Sequence, residues 1–149
     1  MKIKVKVEGL REIKDALRQL PNATAKGVLR KVGRKRLKPV ADRARDYAPK
    51  DQGELKDSIE VSSRQKSGRQ TRRTSESKSD VNVYVGPTSK GYPQAMMQEI
   101  GTKFHPPHPY LRPAWDAEKH GVLEGIKDDL WAEIKKAVVR LARRAAKGK

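Results

Sequence analysis

Apolar and polar residues alternate one by one at the start of the chain. Ile3, Val5 and Val7 are interleaved with Lys2, Lys4 and Lys6. This period of two, with β-branched residues on one face, predicts a strand whose lysines face solvent or a partner. Gly9 breaks the alternation. Leu10, Ile13, Leu17 and Leu20 then recur every three or four residues and predict a short amphipathic helix that Pro21 ends. Asn22 suits the cap of a longer helix, whose apolar stripe runs through Ala25, Val28, Leu29, Val32, Leu37, Val40, Ala41 and Ala44. Pro39 lies within that stripe, which predicts a kink near Lys35–Lys38, and Pro49 requires the helix to end by Ala48.

Farther along, the period changes again. Residues 50–58 are polar and contain Gly53, which predicts a loop with room for one helical turn. Ile59, Val61 and Ser63 begin a second strand, and Val81, Val83 and Val85 make a third that Gly86-Pro87 should stop. Between them, residues 62–80 contain no apolar residue, which predicts a mobile basic hairpin tip. Tyr92–Ile100 has helical spacing. Pro106, Pro107, Pro109 and Pro113 then stiffen an arm at 103–116. A last helix follows, with Val122, Ile126, Leu130, Ile134, Val138 and Leu141 on one side. The sum is one α+β domain over residues 1–149, a three- to four-stranded antiparallel sheet flanked by about three helices, without internal repeats.

Composition narrows this picture. Charged residues make up 36% of the chain and apolar ones 35%, with one Phe, two Trp and four Tyr, so the core must be lean. Some stability is expected from packing against copies or neighbours. The net charge is +17, concentrated in residues 1–50, where sixteen Lys/Arg face five acids. Such a charge attracts polyanions but says nothing about the fold. Cysteine is absent, which excludes disulfides and thiolate chemistry. No apolar run approaches a membrane span and the alternating start does not resemble a signal peptide, so no membrane partner is expected and assembly should occur in a cytoplasm.

Catalytic constellations are weak. His105 and His108 are spaced for a metal only on a helix, and the prolines between and beside them forbid one there. Ser58, Ser62 and Ser63 have no paired His and acid. Gly86–Gly91 lacks the spacing of a phosphate loop. No enzyme, metal or cofactor is expected. The basic run Arg30–Lys38 has six Lys/Arg in nine positions, and Arg69, Arg72 and Arg73 belong to a second cluster in the polar insert. These read either as solvated helix faces or as sequence-blind contacts to nucleic acid. Base-stacking aromatics and a recognition helix are missing. The Pro-rich segment through Tyr110, Leu111 and Trp115 reads either as a rigid arm for a neighbouring subunit or as a stiff connection that launches the last helix.

Three segments, in this order, resemble the phage neck or tail-completion (head–tail joining) family typified by the tenth gene product of a lambdoid coliphage. They are VEGLREIKDALRQLP at Val7–Pro21, YAPKDQGELKDSI at Tyr47–Ile59 and VGPTSKGYPQAMMQEIGTKFHPPHPYLRPAWD at Val85–Asp116. The family's first pattern is filled by Ala48, Pro49, Asp51, Gly53, Leu55, Ser58 and Ile59. The second is filled by Val85, Gly86, Glu99, Gly101, Thr102, Pro109, Leu111, Arg112, Pro113 and Ala114. Gln52 stands where Thr is usual, Ile100 where an aromatic is usual and Tyr110 where Phe is usual, and the basic insert is long for the family. The resemblance implies a fold like that of tail-tube and tail-terminator proteins and a non-catalytic part of a long-tailed phage virion. That part is a homo-oligomeric ring, of six copies if it follows the tail's symmetry, between the tail tube protein and the head-side connector, with DNA passing through the lumen. Candidate contacts are Ile3, Val5, Arg69, Arg72, Arg73, Phe104, Tyr110, Leu111 and Trp115, with Glu99 and Arg112 as a candidate ion pair. A nucleic-acid-binding protein that uses its basic faces is the alternative, and a toxin-like enzyme of similar size a remote third.

Overall fold

The computed structural model describes residues 9–50, 53–63 and 81–148. Its elements run α1 (Leu10–Gln19), α2 (Asn22–Tyr47), α3 (Glu54–Ser58), β1 (Ile59–Ser62), β2 (Tyr84–Pro87), α4 (Tyr92–Ile100) and α5 (Leu111–Lys147). The chain is therefore mostly helical. Among the described residues there are five helices rather than about three, and two strands rather than three or four. The strand expected at Met1–Val7 lies outside the described residues, as does all of the hairpin tip expected at 62–80 except Ser62, which ends β1, and Ser63.

The frame is an antiparallel pair of long helices. α2 has 26 residues and α5 has 37, about 39 and 55 Å at 1.5 Å per residue. Their facing stripes form two apolar clusters. One gathers Val40, Ala41, Ala44 and Ala48 with Leu55, Ile59, Ala95, Tyr110, Ala114 and Val122. The other gathers Ile13 and Leu20 with Val28, Val32, Leu130, Ile134 and Ala137. Ile126 packs against both. α2 continues through Pro39, where a kink is expected. Pro39 lies on the exposed face, and Val40, Ala41 and Ala44 beyond it stay buried, so the hydrogen bond that proline removes is lost away from the core.

Two further expectations are corrected at α5. The helix starts at Leu111, so Pro113 lies inside its first turn instead of ahead of it. A first-turn proline lacks only an N–H that has no intrahelical acceptor. Val138 is half exposed, and Ala137 is buried in its place. A strict four-residue repeat lags the helix by about 40° per step, so after Ile134 the interface takes a three-residue step to stay under α2.

β1 and β2 pair antiparallel, with Ile59 opposite Pro87 and Val61 opposite Val85. β2, expected at Val81–Val85, is thus displaced toward Gly86-Pro87, which was expected to end it. Proline has no N–H for a ladder, and the next donor, the Thr88 N–H, bonds to the Ser58 carbonyl at 2.8 Å. Val81 and Val83 precede the strand without regular structure. No helix among the described residues is long and apolar enough to cross a membrane.

Candidate interaction site

The segment that follows α4 is short, exposed and heavily tied down. Gly101 ends the helix with φ +81°, and its N–H bonds the Met97 carbonyl at 2.9 Å. A Cβ there would sit 2.8 Å from the Pro107 nitrogen, so a left-handed backbone and a close approach both require glycine. Thr102 and His105 exchange backbone hydrogen bonds, from the Thr102 N–H at 2.8 Å and the His105 N–H at 3.3 Å. Lys103 and Phe104 form the turn between them, and the Phe104 N–H also reaches Thr102 Oγ1 at 3.3 Å. Pro106, Pro107 and Pro109 fix the return path, and the His108 N–H bonds the Gln98 carbonyl at 2.7 Å. The two histidine rings meet edge to face at 5.6 Å.

Glu99 closes the base of this loop. Its Oε2 accepts the backbone N–H groups of Tyr110 at 2.8 Å and Leu111 at 3.0 Å, and its Oε1 accepts that of Arg112 at 3.1 Å. Pro113 has no N–H, and the Ala114 N–H makes the first intrahelical bond, to the Tyr110 carbonyl. The four donors that a helix start leaves open are thus all accounted for by one carboxylate and one proline. The negative charge also lies at the positive end of the α5 dipole. Arg112 Nε is 4.0 Å from Glu99 Oε1, but its side chain is exposed, so the ion pair adds little to the cap.

This framework displays one aromatic ring. Phe104, the chain's single phenylalanine, is 93% exposed, and Met97 and Ile100 on α4 are 54% and 60% exposed. Tyr110, expected at a contact, goes the other way. It is 0% exposed in the chain's own core, and its hydroxyl has no hydrogen-bond partner among the described residues. Burial, followed by the nearby Glu99 charge, pushes its pKa up to about 12. Leu111 packs against the same core, and Trp115 is 37% exposed on the first turns of α5.

The first motif supports the loop from below. Gly53 adopts φ +77° before α3, Leu55 and Ile59 are buried, and the buried Ser58 donates its hydroxyl to the Leu55 carbonyl at 2.7 Å. Pro49, Gly53 and Leu55 share a cavity of about 290 Å³ with Gln98 and Thr102, which brings the two motifs together. Gly86 pairs with Glu60 across the sheet. Asp51, Ile3, Val5, Arg69, Arg72 and Arg73 lie outside the described residues.

The basic run on α2 is largely exposed but partly paired with acids of α5. Lys31 pairs with Glu133 at 2.9 Å, and Lys35 and Arg36 pair with Asp129 at 3.2 and 2.6 Å. Arg34 donates to Ser63 Oγ at 2.7 Å. Four of the run's six cations thus help hold α2 to its neighbours, a clamp that the sequence reading missed. Its signal is the cation Arg36, which stands one turn from both Val32 and Val40 in the apolar stripe.

A family model described as "Bacteriophage HK97-gp10, putative tail-component" matches residues 11–101. The match covers α1 to α4 and stops where the exposed loop begins. No curated protein and no solved structure matches the chain.

Proposed function

Because the chain belongs to the HK97-gp10-like family of phage tail components, we propose that it completes the tail of a long-tailed phage and joins it to the head as a ring at the neck. Copies of the chain would form the ring, six if they follow the tail's symmetry, with the tail tube protein on one side and the head-side connector on the other. The role is structural and needs no catalysis or cofactor. The observation that carries the reading is the loop at 101–109. Glu99, Gly101 and the prolines hold it rigid, and it presents Phe104 outward. An aromatic held this way loses little entropy when it docks, as suits a joint made once during assembly. The ion-paired state of the basic run favours this over nucleic-acid binding by that face.

Electron microscopy of lysates from the parent phage with this gene interrupted tests the assignment. Filled heads and separate tails that join when the purified chain is added are the expected result. Normal infectious particles would remove the assignment.

A further inference from the structure

A second apolar feature lies away from the loop. α2, α5 and the approach to β2 enclose an open groove of about 550 Å³, whose lining includes Leu37, Val83, Val85, Trp115, Leu123 and Ile126. None of its described lining residues is charged, in a chain whose charged share is 36%. Its volume falls within the ~300–1,000 Å³ of pockets that take up whole ligands. The face of α4 and its loop is similar in character. Met96, Met97, Ile100 and Phe104 are all exposed, and the α4 acid, Glu99, is turned inward to cap α5.

We infer that Phe104 of one copy, backed by Ile100 and Met97, inserts into the groove between α2, α5 and β2 of the next copy. The inference rests on the ring assignment and names the contact that builds the ring. Three observations support it. Two chains of charge +17 repel one another, and a groove whose described lining carries no charge is where the Phe104 ring, with the Lys103 ammonium 5.8 Å from its centroid, can approach with the least repulsion. Phe104 cannot fill its own chain's groove, because the loop bonds that hold it outward leave it 93% exposed. Knob and groove are different parts of one surface, so the contact is head-to-tail. Such contacts repeat from copy to copy and close into a ring when the rotation permits.

The absence of cysteine makes the test direct. Phage carrying the chain as Phe104→Cys/Leu123→Cys should give purified particles whose chain, oxidised and run without reductant, forms a ladder of multimers up to the full ring. Neither single variant should do so, and an equal mixture of the two should stop at dimers. Particles that contain the chain as monomer overturn the inference while leaving the neck assignment standing. Joined, infectious particles that lack the chain remove both. A Val5→Cys/Leu123→Cys variant that closes within one chain would give the groove to the chain's own first residues and also overturn the inference. Phe104→Asp provides an independent measurement, since no core contact depends on that ring. It should lower the number of copies per particle at least tenfold while the purified chain keeps its helical circular dichroism. Unchanged copy number would overturn the proposal.

Discussion

Arg36 Nε lies 2.6 Å from Asp129 Oδ2, where the two apolar clusters of the α2–α5 pair meet. A guanidinium fits there because position 125, one turn before Asp129, is glycine. A Cβ on Gly125 would overlap the Arg36 guanidinium. Glycine within a helix costs about 1 kcal/mol relative to alanine, and the half-buried ion pair returns a similar amount, about 1 kcal/mol. Gly125→Ala alone should therefore leave stability to urea nearly unchanged. In an Arg36→Met background the same substitution should stabilise by about 1 kcal/mol. Equal effects in both backgrounds would show that glycine is not there for the arginine.

The same clamp sets a response to acid. The hydrogen bond from Arg36, then that from Lys35, holds the Asp129 carboxyl below its ordinary range, and Lys31 does the same for Glu133. The unfolded chain takes up these protons first as pH falls. The clamp's contribution is therefore complete above the ordinary carboxylate values near ~4 and is lost as pH drops through the lowered folded ones. Asp129→Asn with Glu133→Gln should be less stable than the parent at neutral pH and lose less on acidification. Parallel stability–pH curves for the two proteins would contradict the clamp.

Glu99 should matter well beyond its own position. Glu99→Ala leaves the first-turn N–H groups of Tyr110, Leu111 and Arg112 without their acceptor, a loss of about 2 kcal/mol. Glu99→Gln keeps an acceptor but removes the charge, and should lose about half as much. Hydrogen exchange gives the second readout. The His108 N–H, bonded to the Gln98 carbonyl, should exchange faster in Glu99→Ala as the loop loosens. Protection equal to that of the parent would mean that the loop is rigid without its cap.

These residues also show how far the sequence could be read. Periodicity placed α1, the end of α2 and the limits of α4, because each has an apolar stripe closed by proline or glycine. It misplaced the start of α5, since a proline reads as a breaker until its position in the first turn is known. The strand expected at Val81–Val85 moved to Tyr84–Pro87 because Gly86-Pro87 reads as a stop, whereas the ladder needs only the Thr88 N–H beyond it. Glu99 could be guessed as a partner of Arg112, but its main partners are backbone groups, which have no signature in side-chain pattern. Tyr110 sits among exposed prolines, so only the turn into α5 reveals that its ring points inward. The loop was legible as stiff, and Phe104 was expected at a contact together with Tyr110 and Trp115, of which the structure buries Tyr110 and leaves Phe104 by far the most exposed.

Tyr110 yields the prediction with the clearest sign. Its hydroxyl is buried without a hydrogen-bond partner among the described residues, and burial with the nearby Glu99 charge raises its pKa from 10.0 to about 12. The folded chain therefore holds this proton more tightly than the unfolded chain does. The resulting stability is present in full below pH ~10 and disappears as pH rises toward 12, a loss of about 2–3 kcal/mol. Lysines titrate in the same range, so the comparison must be with Tyr110→Phe, which shares every lysine. At neutral pH the variant should equal the parent or exceed it by up to ~1 kcal/mol, because an unbonded hydroxyl has left the core. Between pH 10 and 12 its advantage should widen, because only the parent's unfolded chain gains by ionising this phenol while the folded one keeps it neutral. Urea unfolding of both proteins across that range decides the matter. A constant difference would mean that the hydroxyl reaches water, and a variant weaker at neutral pH would mean that it has a hydrogen-bond partner after all.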